Sequence, residues 1–459
     1  MSWTRVKDEY RVFEDAAERD TLANPAKFEL DIWEKRSGLP GWTYLPSVTD
    51  PQVVATPCEL RIVFAPLDLP KKSTRNEFVS LFRALAIPPA FTVERVQSVS
   101  HSFGTERDAT GSCAWFHFLC KHADPSAVHR RARTTLGAMR SMARDAQPLP
   151  QADYSYLRSG FFLRTTRAGN TTLVCFGATP CVRRRIEQFV SVKAWDEVST
   201  QPYILFDLVL EGLSLEVDEN VWNIGKVFGF MEHHTLSIAN TSRDLITKEI
   251  FVELHNLAKH AIHLGEAIES SLLTVDGLLA RVKVADSGPS SISRTGSSNS
   301  GITLTQNEVH QQLRDRLEYR KSLFQSTKLR LGSLQKRVQN SIELSFNLLT
   351  QQDSLVMIQD SNSMKVIAAI TMFFLPTTAV ASVLGSQLFM TSNSTGSWEV
   401  TATPLFKVMW YVAAPTTMVV AILAFFWHKY SHHHRPSPQQ PLKLLVRRLT
   451  TYRQSSSKV

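Results

Sequence analysis

The apolar and polar positions change their period along the chain, and the changes mark its parts. Residues 1–55 hold no sustained period. Pro25, Gly38, Pro40, Gly41, Pro46 and Pro51 break any long element there, and only 8–22 reads as a short surface helix. From residue 56 to 245, strand and helix patterns mix. CELRIVFAPL (58–67) and SCAWFHFLC (112–120) read as strands. RNEFVSLFRALAI (75–87) spaces Phe78, Leu81, Phe82 and Leu85 as a helix does, and Pro88-Pro89 ends it. Residues 126–143 suit a further helix. GFFLRTT and TTLVCFG flank the turn Arg167-Ala168-Gly169-Asn170 and predict a hairpin. Residues 180–195 and 202–234 read as helices, the second largely buried. Strands mixed with helices in this order predict an α/β (α+β) domain.

From residue 246 the period becomes regular. Ile250, Leu254, Leu257, Ala261, Leu264, Ile268, Leu272, Val275, Leu279 and Val282 recur at three or four, the mark of one long amphipathic helix. Residues 286–305, DSGPSSISRTGSSNSGITLT, carry no core pattern and read as a flexible Ser/Gly-rich insertion whose serines are candidates for phosphorylation, with a plain linker the favoured reading. A second long helix starts near Gln306. Leu317, Phe324, Leu331 and Val338 repeat every seven residues, with Leu334 and Leu348 on a second seam, which argues for coiled-coil-type packing. Arg314, Arg316, Arg320, Lys321, Lys328, Arg330, Lys336 and Arg337 lie off that seam. They read as a solvated face, or as a positive ring that tunes ions reaching a pore.

The stretch 366–390 then runs 25 residues without a charge. At 1.5 Å per residue that is about 37 Å, enough for a hydrocarbon core of roughly 30 Å. Ser361, Met364, Ala368, Thr371, Leu375, Thr378, Ser382 and Gly385 form one mostly small or hydroxyl-bearing face, while Val366, Ile370, Phe373, Phe374, Val380 and Val383 fall largely elsewhere. Such a face packs on another helix or lines a path. A polar loop at 391–407 leads to a second uncharged run at 408–427, and a basic tail closes the chain at 428–459. Trp398, Trp410, Tyr411, Trp427 and Tyr430 lie at or near the span ends, as an interfacial belt should.

Composition narrows the function. The chain has 459 residues, is 43% hydrophobic and 20% charged, and carries a net charge of +9. Seven Lys or Arg and no acid fall within 429–459, which marks the cytosolic side of a membrane and places both termini there. The opening stretch, MSWTRVKDEYRVFEDAAERD, has no apolar run, so the N-terminal part is expected in the cytosol. No finger, RNA-binding sheet motif or basic zipper accompanies the positive charge, so nucleic acid is not an expected partner. Five scattered cysteines, Cys58, Cys113, Cys120, Cys175 and Cys181, form no C-x-x-C pair and read as reduced thiols. The sequon at Asn393 lies in the non-cytosolic loop, too near the membrane to be used well; those at Asn170 and Asn240 are expected in the cytosol.

No P-loop, G-x-S-x-G, H-E-x-x-H or G-x-G-x-x-G is present, so no enzyme and no cofactor are expected. His255, His260 and His263 stand near Glu266 and Glu269; His260 and His263 share a face by spacing, as a surface pair or as metal contacts. His432, His433 and His434 beside the membrane read as surface contacts or weak metal ligands. No resident metal site is assigned.

FLPTTAVASVLGSQLF resembles the first transmembrane helix and exit turn of the CorA magnesium-transporter superfamily, in its divergent fungal CorA-like branch. Phe374-Leu375-Pro376 and Thr378 match the pattern, and Gly385 matches the first residue of its Gly-Met-Asn turn. Ser386 and Gln387 replace Met and Asn, and Leu384 replaces an aromatic. The resemblance implies a homo-oligomer, a pentamer in that family, that conducts divalent cations, magnesium first, across a lipid bilayer. It implies an ion path along Met364, Ala368, Thr371, Leu375, Thr378, Ser382, Gly385, Ser386 and Gln387. Gln387 offers the amide of Asn one methylene further out. Asp353 and Asp360, just before the span, are candidate ion-sensing residues. The other expectation, carried by Gly-Ser-Gln and by Glu399 as the loop's single acid, is a CorA-like, membrane-anchored interaction or regulatory protein that does not conduct.

Overall fold

The structure, a computed structural model, describes residues 10–20, 26–38, 41–99, 101–123, 154–192, 196–241, 248–286, 306–384, 389–394 and 397–433. The chain divides into two compact units, Met1–Leu349 and Thr350–Val459.

The first unit is built on a seven-stranded sheet: β1 (Leu30–Lys35), β2 (Trp42–Val48), β3 (Leu60–Ala65), β4 (His101–Arg107), β5 (Gly111–Ala123), β6 (Tyr154–Thr166) and β7 (Thr171–Phe176). Their order is β2-β1-β3-β7-β6-β5-β4, with β3 and β7 parallel and every other pair antiparallel. The expected hairpin forms as β6 and β7, closed by the Thr166 amide donating to Asn170 O at 2.9 Å.

Strand alternation sends side chains to two separate cores. Leu60, Ile62, Phe64, Phe161, Leu173 and Cys175 enter one. Val63, Ala65, Phe162, Val174 and Phe176 enter the other. Both faces are therefore covered, and every residue of β3 is buried. The second core is closed by α1 (Arg11–Glu18), α2 (Arg75–Leu85) and α3 (Pro89–Val96). Phe13 of α1 meets Phe82 of α2 edge-on at 5.2 Å, and the Tyr10 hydroxyl donates to Ile87 O at 2.7 Å. Pro89 opens α3 at its first turn, where the missing N–H costs no helix bond.

Among the described residues of 1–55, β1 and β2 are regular strands that the turn residues did not suggest. The prolines and glycines bracket β1 rather than interrupt it, and Pro46 lies on β2, an edge strand, which tolerates proline. Glu34 of β1 is fully buried and is held by Arg61 at 2.6 Å and Arg36 at 2.7 Å. The helix expected at 126–143 lies outside the described residues, as does the insertion beyond Asp286.

The first core is closed by α4 (Pro180–Val192), α6 (Ile204–Thr241), α7 (Lys248–Asp286) and the start of α8 (Gln306–Leu384), with a short α5 (Asp196–Thr200) between α4 and α6. Gly212 lets α6 approach α4 closely: a Cβ there would meet the Val182 backbone at 2.5 Å. The seven-residue stripe of α8 is buried as expected, with Leu317, Phe324, Leu331 and Val338 each at most 1% exposed. The positive face beside it is not a free ring. Arg316 and Arg320 bind the fully buried Asp207 at 2.7 and 3.1 Å, and Arg320 also binds Glu211 at 2.6 Å. Lys321 pairs with Asp276, Lys328 with Glu269, Arg330 with Asp218, Arg337 with Glu232, and Arg314 with Glu318 of its own helix. The acids come mostly from α6 and α7, which the spacing within α8 alone could not reveal.

The second unit holds the remainder of α8, a hairpin of β8 (Phe389–Ser394) and β9 (Ser397–Ala402), and α9 (Pro404–His433). The segment expected as a polar loop is therefore a paired hairpin. Among the described residues two helices are long and apolar enough to cross a membrane, over Asn307–Ser382 and Pro404–Phe426.

Removing the Asp207 carboxylate takes an acid from Arg316 and one of the two acids that hold Arg320. Asp207→Ala is expected to cost about 1.5–3 kcal/mol in chemical denaturation of the full chain, whereas Arg314→Gln, on an exposed pair, should cost less than about 1 kcal/mol. Equal losses would contradict the clamp.

Candidate functional site

The candidate site is the C-terminal part of α8. No segment of it carries a charge after Lys365, so its chemistry rests on hydroxyls, small side chains and freed backbone. Met364 and Leu375 are 71% and 67% exposed, and Ala368, Thr371, Thr378 and Ser382 are exposed with them. The bulky Val366, Ile370 and Phe374 are exposed as well, at 59%, 52% and 56%. Exposure does not separate the two faces; side-chain chemistry does.

The threonines are turned in a particular way. Thr371 Oγ1 lies 3.0 Å from Ile367 O and 2.9 Å from Ala368 O. Thr378 Oγ1 lies 3.0 Å from Phe374 O and 3.1 Å from Leu375 O. Each hydroxyl spends its one proton inside the helix and keeps lone pairs for an outside donor or cation. Pro376 adds a further acceptor, because the Met372 carbonyl four residues back has lost its helix donor. This face therefore offers acceptors and no positive charge.

The second span repeats the device, which the sequence reading missed. Pro415 sits inside α9, and Thr416 and Thr417 donate to Val412 O and Ala413 O, each at 2.7 Å. The signal was present as Pro-Thr-Thr at 376–378 and again at 415–417.

Gly385, Ser386 and Gln387 lie outside the described residues. Asp353 and Asp360 are exposed, seven residues apart on α8. Among the described residues no group of three or more His, Cys, Asp or Glu could hold a metal ion.

The histidines of α7 do not form a pair. His260 is 5% exposed, with Nδ1 3.1 Å from Lys121 Nζ. Burial, then the Lys121 charge, pushes its pKa down to about 3, so the neutral ring accepts from the ammonium. His263 faces Glu266 instead, at 3.1 Å, and His255 packs its ring on Phe251. Equal helix spacing placed His260 and His263 together; the strand that supplies Lys121 takes one of them into the core. The backbone of His432 and His433 belongs to α9, and His434 lies outside the described residues.

No family model matches the chain. Notoamide biosynthesis cluster protein M′ of Aspergillus versicolor is 29% identical over 175 residues, 38% of this chain. The match spans 36% of that protein's length. Among solved structures, the full-length CmaX protein aligns over 90% of this chain and 99% of its own, at 11% identity and a TM-score of 0.47. The CorA magnesium transporter of Methanocaldococcus jannaschii aligns over 87% and 98%, at 11% identity and a TM-score of 0.38. The ZntB cytoplasmic domain of Vibrio parahaemolyticus aligns over 73% and 100%, at 10% identity and a TM-score of 0.33. At TM-scores of 0.33 to 0.47 these likenesses leave the family open.

The native thiols permit a direct test of the face. Burial raises the pKa of Cys58, Cys113 and Cys181 to about 11 and of Cys120 to about 12, and pushes Cys175 higher still. All five stay protonated and unreactive at neutral pH. In membranes, Thr371→Cys and Thr378→Cys are expected to react with a charged methanethiosulfonate, and Ile370→Cys and Phe374→Cys are not. Equal labelling of both faces would remove the distinction.

Proposed function

We propose that this chain forms a homo-oligomeric membrane channel for divalent cations, with magnesium as the favoured ion and the membrane potential as the driving force. One observation carries the reading: an uncharged, membrane-length helix presents a row of small and hydroxyl residues whose threonine protons are committed to its own backbone. A path lined by neutral oxygen acceptors suits an ion that keeps much of its water. One such helix cannot enclose a path, so the reading requires several copies around an axis, five by the CorA resemblance.

In this arrangement Thr378, Ser382 and Thr371 form hydroxyl rings, with Leu375 and Met364 as apolar constrictions and Ala368 as close-packing space. Gly385, Ser386 and Gln387 form the mouth. Asp353 and Asp360 sense the ion between subunits. Both termini face the cytosol, as the basic tail directs. The chain carries out no catalysis and holds no resident cofactor. Magnesium is cargo.

A second reading rests on a specific observation. Ser386 and Gln387 stand where the resembled turn has Met and Asn, and the hairpin between the spans contains one acid, Glu399. In this reading the chain is a non-conducting, membrane-anchored interaction or regulatory protein.

The two readings separate in liposomes holding the purified full chain and a trapped magnesium-sensitive dye, under an inside-negative potential. Conduction predicts protein-dependent influx that Thr378→Leu abolishes and Gln387→Asn preserves or raises. Absence of influx from a verified intact oligomer would favour the non-conducting reading.

A further inference from the structure

Away from the spans, the β4 end of the sheet carries a cleft of about 560 Å³ that the transport reading does not use. Its floor is one face of three strands. Register places Arg107, Ser112 and Thr165 in one cross-strand row, and Thr105, Ala114 and Leu163 in the next. Glu106 also borders the cleft, but it alternates with Thr105 and Arg107, so its side chain belongs to the opposite face of β4. The walls are Gln201, Pro202 and Tyr203 at the entry to α6, Arg281 on α7 and His310 in the opening turns of α8.

Two features make this more than a surface groove. First, α7 is seated tightly beside β4: a Cβ on Gly277 would meet the Phe103 ring at 2.5 Å. Four residues on, the Arg281 guanidinium donates to Thr105 Oγ1 and is drawn over the floor. Second, Arg107 and Arg281 have no ion pair with any acid of the described residues, in a unit where most arginines of the long helices are paired. Both guanidiniums act electrostatically on the half-buried Tyr203. Burial raises the phenol's pKa from its ordinary value, and the two arginines oppose that shift.

We propose that this cleft binds a phosphorylated small molecule of about nucleotide size. The volume lies within the range of about 300–1,000 Å³ usual for small-molecule sites. Two guanidinium forks supply bidentate donors for anionic oxygens, and the hydroxyls of Ser112, Thr165 and Tyr203 and the Gln201 amide add further donors. That set exceeds what the two oxygens of one carboxylate can use and fits the terminal oxygens of a phosphate ester. Pro202 and the Tyr203 ring, both partly exposed, offer apolar surface for the remainder of the ligand. The site is independent of whether the spans conduct.

The test is calorimetric titration of the full chain in detergent with magnesium-free ATP, inorganic phosphate and citrate. ATP is expected to bind more tightly than phosphate, and citrate to bind weakly. Arg107→Gln combined with Arg281→Gln should weaken ATP about tenfold, the equivalent of ~1.4 kcal/mol, with the melting temperature unchanged because both side chains are exposed. Thr165→Trp, which fills the cleft from the floor, should give the same loss, and Lys336→Gln, on an exposed face of α8, should give none. Absence of ATP binding, ATP binding unchanged by the double substitution or by Thr165→Trp, or citrate binding as tightly as ATP would each overturn the proposal.

Discussion

Asp207 is the point on which the first unit's helical layer depends. It has no exposed surface, and its two oxygens are taken by Arg320 and Arg316. Arg320 extends the network to Glu211, which also holds Arg185 of α4 at 2.7 Å. Three helices that share an apolar layer are thereby fixed to one another by charge. The apolar seam could not fix them alone, because Leu317, Phe324, Leu331 and Val338 repeat every seven residues and a slide of two turns would bury a nearly equivalent set. The charge pairs do not repeat in that way. Asp207, Asp218 and Glu232 of α6 meet Arg316 and Arg320, Arg330, and Arg337 in ascending order, so α6 and α8 run in the same direction. Asp276 and Glu269 of α7 meet Lys321 and Lys328 in the reverse order, so α7 runs against them. A displaced register would leave Asp207 buried without a partner, which costs more than the lost apolar contact.

The physical rules reverse farther along the same helix. Up to residue 349, α8 alternates a buried apolar seam with charges that find acids on neighbouring helices. After Lys365 the charges end, and polarity is confined to groups that satisfy their donors within the helix. Self-satisfied threonines suit hydrocarbon, where an unpaired donor is expensive. The same arrangement leaves the acceptor lone pairs of these hydroxyls unspent within the helix. The Pro-Thr-Thr repeat in α9 shows that this is a property of both spans.

Much of the architecture was legible because it follows from period and turn chemistry. The hairpin around Gly169, the strands at Leu60–Ala65 and Gly111–Ala123, the seam of α8 and both spans all come from local patterns. Features that depend on distant partners were not legible. Strand β1 looked irregular because its pairing with β3 and the burial of Glu34 against Arg61 are set by residues about thirty positions away. The pairing of His260 with Lys121 crosses 139 residues, and the Arg320–Asp207 contact crosses 113. Helix spacing placed those side chains on a face correctly but could not say what stood opposite. In the candidate site, the small-residue face came from spacing, while the direction of the threonine protons required backbone geometry.

The pairing on α8 also bears on cation passage. In the conducting reading, the eight cations of α8 that precede residue 349 would repel a divalent ion approaching from that side, and a periodic reading of α8 leaves that objection standing. Seven of the eight are matched by an acid: Arg314, Arg316, Arg320, Lys321, Lys328, Arg330 and Arg337. Paired charges cancel beyond a few ångströms, and salt screens the remainder over about 8–10 Å. Most of the positive charge in this part of the helix is thus spent within the fold, chiefly on acids of α6 and α7, and its field at a distance is reduced. The net +9 of the chain does not by itself argue against a cation as cargo, because much of the basic character of α8 is internal to the fold and a further seven basic residues lie in the tail, beyond the second span.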